Sequence, residues 1–96
     1  MKIIIAGAGE VGFHLAKLLS YESLDITLID IDRDRLNYAE GHLDIKTLRG
    51  NASSLALLKE SDVAESDLFI AVTASESVNI TVCLLAKQLG LSLIHI

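Results

Sequence analysis

Short apolar runs alternate with longer stretches whose apolar positions recur at helical spacing, and the alternation continues along the whole chain. Residues 3–6 (Ile-Ile-Ile-Ala), 26–29 and 68–72 are short and apolar almost throughout, which predicts strands covered on both faces, as in a parallel sheet. Residues 45–48 read as a further strand. Between the first two strands, residues 10–21 predict a helix that turns Val11, Leu15, Leu18 and Leu19 to the sheet and leaves Glu10, Lys17 and Glu22 in water. A second helix opens with Asp32, Arg33, Asp34 and Arg35, runs to about Glu40 and is ended by Gly41. Ser53 or Ser54 caps a third helix carrying Leu55, Leu57 and Leu58. Residues 73–77 are polar, 78–89 form a longer helix with Gly90 at its C-terminal end, and 91–96 start a fifth strand. This order predicts an α/β fold, a doubly wound parallel sheet truncated after about five strands.

The length of 96 residues, with 51% hydrophobic and 22% charged, suits one globular domain, residues 1–96, and excludes disorder. Ending inside a buried strand is unusual for a complete protein, because an open sheet edge invites pairing, so a fragment of a longer chain is expected. The net charge of −5 and the scatter of the basic residues exclude a nucleic-acid footprint. Glu10, Lys17, Asp30, Glu76 and Lys87 break every apolar run before it reaches the roughly 18 residues of a membrane span. With no adequate signal-peptide core at the start, a cytoplasmic location is expected. Cys83, between Val82 and Leu84, is expected to be helix packing rather than a redox group.

The chemistry lies in Gly7-Ala8-Gly9-Glu10-Val11-Gly12, a GxGxxG that directly follows a strand and opens a helix. Gly7 permits the tight turn, Gly9 keeps side-chain bulk away from a pyrophosphate, and Gly12 lets helix and strand approach. The amides at the helix N-terminus then face the phosphates. Asp30 ends the second strand 18 residues beyond Gly12, near the interval at which an acid accepts from an adenosine ribose. A 2′-phosphate would meet it as a like charge, so an NAD-type ligand is expected over NADP, with Arg33 and Arg35 softening the repulsion. Gly50, Asn51 and Ala52, and then Thr73, Ala74 and Ser75, follow the other strand ends and supply the remaining walls. Glu76 and Asn79 are candidates by position, against plain roles as a capping acid and a solvated helix residue. Asp32 and Asp34 have a plain role as first-turn acids. His14 lies in the first helix, His42 in a loop and His95 in a terminal strand, none aimed at a nicotinamide; no metal-ligand or nucleophile motif is present.

Taken together, MKIIIAGAGEVG (1–12), ITLIDID (26–32), GNA (50–52) and AVTASESVN (71–79) resemble the KTN/RCK nucleotide-binding domains of Trk-type potassium uptake and efflux systems, over nearly the whole chain. The resemblance implies a Rossmann-like regulatory module rather than an enzyme. Such a module binds NAD or NADH, or ATP or ADP, assembles as a homodimer or ring, and conveys nucleotide state to a potassium-translocating membrane subunit. Carried over by position, Gly7, Ala8, Gly9, Glu10 and Val11 would line the phosphates and Asp30 would hold the ribose. Ile31, Asp32 and Arg33 would flank the adenosine, Asn51 and Ala52 would border adenine, and Thr73 and Ala74 would close the pocket, with Glu76 and Asn79 behind them. The pattern departs at Asn51, where the family usually reads GDA; an amide both donates and accepts, so weaker discrimination at adenine is expected. It departs again after Gly90, where the family's arginine-bearing strand is not matched and a foreign or frameshifted end is expected. The competing readings are the cofactor-binding half of an NAD-dependent oxidoreductase, betrayed by a catalytic Lys or His further along, and a degenerate fold used only for association, betrayed by no nucleotide affinity.

Overall fold

β1 (Lys2–Ala6) is the centre of the molecule, because three consecutive isoleucines leave it no polar face to give to solvent. Ile3, Ile4 and Ile5 are all at most 1% exposed. The computed structural model describes residues 1–61 and 63–90 and the backbone of Ile94–His95. Along it follow α1 (Glu10–Ser20), β2 (Asp25–Asp30), α2 (Arg33–His42), β3 (Lys46–Arg49), α3 (Leu55–Glu60), a 3₁₀ turn (Val63–Glu65), β4 (Leu68–Ala71), α4 (Glu76–Gln88) and β5 (Ile94–His95). The strands pair in parallel in the order β3-β2-β1-β4-β5. The direction of winding therefore reverses between β1 and β4, the switch point where open α/β sheets form a crevice at their strand ends. This is the expected doubly wound, Rossmann-like architecture.

Strand pleating sends alternate side chains to opposite faces. Ile3, Ile5, Ile26, Leu28 and Ile70 pack with Ala16 of α1 and with Leu36 and Ala39 of α2. Ile4, Ile29, Phe69 and Ala71 pack on the other face with Leu57 and Leu58 of α3 and Val82, Cys83 and Ala86 of α4. Each fully buried Ile, Leu or Phe is worth roughly 1.5–3 kcal/mol. Cys83 belongs to this core, and burial pushes its thiol above the usual cysteine value, which disfavours the reactive thiolate.

Three local expectations differ from the structure. In α1 the buried positions are Gly12 and Ala16, whereas Val11 and Leu18 are 64% and 52% exposed. The cause is a single close approach: a Cβ on Gly12 would stand 1.7 Å from the Gly7 carbonyl oxygen, so this contact, and not the widest apolar stripe, sets how the helix is rotated. In α2, Gly41 does not end the helix, which continues to His42; the Leu43 amide still donates to the Ala39 carbonyl at 2.8 Å, and His42 stacks on Tyr38 at 4.1 Å. A mid-helix glycine costs only about 1 kcal/mol, and these contacts exceed it. His42 is thus a helical residue rather than a loop one. Finally, α4 begins two residues before its apolar run, because Ser75 caps it by accepting from the Val78 amide. Of the strand expected over 91–96, Ile94–His95 pairs with β4, and the rest lies outside the described residues.

Two glycines separate the packing roles. Gly12→Ala is expected to cost about 4 kcal/mol or more, or to prevent folding, because the methyl meets backbone that cannot move away. Gly41→Ala, where a Cβ meets nothing within 4 Å, is expected to stabilise by roughly 0.5–1 kcal/mol. Urea unfolding of the two variants checks both signs.

Candidate functional site

The ends of β1, β2 and β4 meet around the glycine turn. Gly7 stands at φ +116°, and a Cβ there would lie 2.8 Å from the Val72 carbonyl oxygen, so the turn after β1 is pressed against the loop after β4. Gly9 is different. A Cβ on it would meet nothing closer than the Arg35 Nη1 at 3.9 Å, and its φ of −70° suits any residue. Packing therefore requires Gly7 and Gly12, whereas the fold has no need of glycine at position 9.

Gly9 is also the N-cap of α1, and it provides no side-chain cap. The other three α-helices are each capped, α2 by Asp32, α3 by Ser54 and α4 by Ser75. The first amides of α1 thus point into the crevice without a side-chain acceptor, with the positive end of the helix dipole behind them.

Asp30 closes the turn from the β2 side. Its Oδ2 accepts from the Ala8 amide at 2.7 Å and its Oδ1 from the Asp32 amide at 2.8 Å. Arg35 Nη1 stands 3.8 Å from Oδ2, and the side chain of Asp30 is only 9% exposed. The carboxylate therefore ties the glycine turn to the start of α2 and keeps further lone pairs for hydroxyl donors.

Two clefts join here, sharing Gly7, Asp30, Thr73 and Ala74. One, of about 310 Å³, runs between Ile31 and Val78 and over Ala52, Asn51 and Gly50. Ile31 is 66% exposed, an apolar wall that serves no core. The other, of about 320 Å³, is bounded by Gly9, Glu10, Val11, Val72 and Arg35. The first is a mostly apolar slot, and the second is a more mixed basin at a helix N-terminus that carries Glu10, Asp30 and Arg35. A groove between α1 and α2, lined by Phe13, Lys17, Tyr38 and His42 among others, is larger at about 410 Å³ but includes no glycine-turn residue or strand-end acid.

Of the residues singled out from the sequence, Gly7, Gly9, Glu10, Val11, Asp30, Ile31, Asn51, Ala52, Thr73 and Ala74 line one or both clefts. Ala8 contributes its amide to Asp30, and Gly12 lies beneath the turn. Asp32 is spent on capping α2, accepting from the Asp34 and Arg35 amides. Arg33 and Glu76 are exposed and line neither cleft. Asn51 accepts from the Ser53 amide and hydroxyl through its Oδ1, so its oxygen shapes its own loop. Asn79 is not solvated: it is 8% exposed, its Oδ1 accepts from the Thr73 amide at 2.9 Å and from the Thr73 hydroxyl at 2.6 Å, and its Nδ2 donates to the Thr73 carbonyl at 3.2 Å. It brackets the loop that presses on Gly7. Arg35 and Val78, both lining residues, escaped the motif reading; the only signal for Arg35 was its sequence proximity to Asp30.

Removing the Asn79 bracket takes the side-chain partner from the half-buried Thr73 amide and carbonyl and leaves a small void where Asn79 was buried. Asn79→Ala is accordingly expected to lower stability by about 1–3 kcal/mol in denaturant unfolding, and Glu76→Ala to change it by less than about 0.5 kcal/mol.

Comparison with known proteins agrees with this fold. The TrkA-N domain family model matches residues 3–96, a stretch that continues past Gly90. The chain is 44% identical over 89 residues to the Trk system potassium uptake protein TrkA of Halomonas elongata, covering 93% of this chain and 20% of that protein. It is 40% identical over 95 residues to the protein of the same name from Haemophilus influenzae, covering 99% of this chain and again 20% of the relative. The chain thus spans about a fifth of the length of the curated relatives it matches. Among solved structures, the TrkA-N domain of the inner membrane protein ybaL from Escherichia coli superposes with a TM-score of 0.87 at 16% identity, covering 98% of this chain and 70% of that one. The Kef C-terminal domain of Shewanella denitrificans in its AMP-bound form superposes with a TM-score of 0.80 at 20% identity, covering 99% and 58%. These two likenesses concern the fold. With the family model matched over all but its first two residues, the chain belongs to the TrkA-N domain family.

Proposed function

We propose that this domain binds an adenine nucleotide, NAD or NADH or else ATP or ADP, and regulates a potassium uptake system by conveying its nucleotide state to a potassium-translocating membrane subunit of Trk type. The observation that carries the binding half is the N-terminus of α1, uncapped and opening beside a Gly9 that packing does not require. The residues fit the ligand part by part. The amides of Gly9, Glu10 and Val11 would hold phosphate, charge favoured by the helix dipole. Asp30 would accept from the ribose hydroxyls, and the slot between Ile31 and Val78 would take the adenine, with Asn51 at its edge. A 2′-phosphate would be set against the Asp30 carboxylate, which favours NAD over NADP.

The regulatory half rests on the relatives, which are named as potassium uptake proteins, and a structural neighbour of the same fold in an AMP-bound form supports a nucleotide as the ligand. We read residues 1–96 as one Rossmann-like domain of a longer chain, a sensor rather than an enzyme. It would work as a homodimer or ring on the cytoplasmic side of the membrane, held there by its partner; no helix among the described residues is long and apolar enough to cross a membrane. A nucleotide regulates in such an assembly only by its difference in affinity for two arrangements of the domains.

Calorimetric titration of the domain with NADH, NAD, ATP, ADP and NADPH tests the binding half. The expected result is binding with NADPH weakest; no binding by any of the five would sink the proposal. Gly9→Ala is expected to reduce affinity at least about tenfold while changing unfolding free energy by no more than about 1 kcal/mol, since the methyl projects into the crevice and not into the core. Asp30→Ala is expected to weaken binding substantially, and unchanged affinity would remove Asp30 from the site.

A further inference from the structure

The clefts contain two carboxylates, Asp30 and Glu10, and among the residues that line them a single cation, Arg35. Its guanidinium stands between two acids and the glycine turn. Nη1 lies 3.8 Å from Asp30 Oδ2, and Nε lies 3.8 Å from Asp32 Oδ2. Both separations are too long for hydrogen bonds, so the two acids draw the guanidinium toward them without using its N–H donors. The same Nη1 is the group nearest to a methyl built on Gly9, at 3.9 Å, which puts it above the uncapped end of α1. Arg35 also lines the groove on the far side of the glycine turn, with Ala8, Phe13 and Tyr38, so it stands astride the turn.

We propose that Arg35 is the phosphate-gripping residue of this site: its guanidinium faces the α1 amides across the basin and closes on the phosphate next to the adenosine ribose. The inference rests on the nucleotide reading and deepens it, making phosphorylated adenosine, and not adenosine itself, the class of ligand recognised. A guanidinium is suited to this because it presents parallel N–H groups to two phosphate oxygens at once. Of the two negative charges that Glu10 and Asp30 bring to the basin, Arg35 offsets one, and it does so beside the place where phosphate would sit. The ion pairs with Asp30 and Asp32 bias the guanidinium toward the turn before ligand arrives, which lessens the ordering cost of the grip.

The test separates phosphate from adenosine recognition. Wild type, Arg35→Gln and Arg35→Lys are titrated with adenosine, AMP and ADP by heteronuclear NMR, which reads weak affinities, with unfolding midpoints measured in parallel. Arg35 is 56% exposed, so the variants are expected to fold. In Arg35→Gln, AMP and ADP affinity is expected to fall about tenfold or more, the scale of a charged hydrogen bond, while adenosine affinity changes less than about twofold. Arg35→Lys recovers part of the loss, and the salt dependence of AMP binding flattens in the glutamine variant. Equal losses for adenosine and AMP would overturn the proposal by making Arg35 a support for Asp30, as would unchanged AMP affinity. A wild type that binds neither adenosine, AMP nor ADP would overturn the nucleotide reading itself, a result distinguishable from either.

Discussion

The contact between Gly12 and the Gly7 carbonyl governs the rest of the structure. No side chain of any size fits between them, so α1 lies against the end of β1 at a distance that only backbone can reach. That distance fixes the rotation of the helix, buries Ala16 and leaves Val11 and Leu18 outward. It also fixes the direction of the α1 axis, and with it the point in space at which the uncapped amides emerge. A helix N-terminus placed by backbone contact is a more rigid binding element than one placed by flexible side chains.

Around this contact, polar side chains determine how the neighbouring loops meet. Asp30 couples the turn after β1 to the start of α2 through two backbone amides, and Asn79 couples the loop after β4 to α4 through three hydrogen bonds. Each is a short polar residue at a strand or helix end, bonded to backbone that secondary structure leaves unpaired. Buried backbone groups need partners, and these side chains supply them where the sheet stops. The loops around the crevice are therefore tied down by these side chains, and under the proposed function they would need little rearrangement to take a flat ring on one side and an anion on the other.

The division of labour among the three motif glycines is a second consequence. Gly7 and Gly12 answer to the packing of the protein with itself, whereas a Cβ on Gly9 would meet only the tip of Arg35, at 3.9 Å. A glycine where the fold tolerates alanine leaves the backbone open to close approach, as the proposed phosphate site would need. Arg35 stands over that same position, where under the proposal it would give the approach a charge preference.

The sequence by itself determined the element order, the parallel sheet and most of the cleft, because those features are local: apolar runs without alternation, glycines at fixed offsets and an acid at a strand end all state their roles within a few residues. Tertiary structure alone decided the rotation of α1, the extension of α2 through Gly41, the burial of Asn79 and the position of Arg35 above Gly9. Hydrophobic periodicity selects a face only to within the width of its stripe, and here a backbone contact outweighed it. A polar side chain such as Asn79 or Arg35 carries no local mark of the loop or turn it will meet. Those meetings depend on where the winding of the sheet reverses, and the reversal brings together residues far apart in the chain.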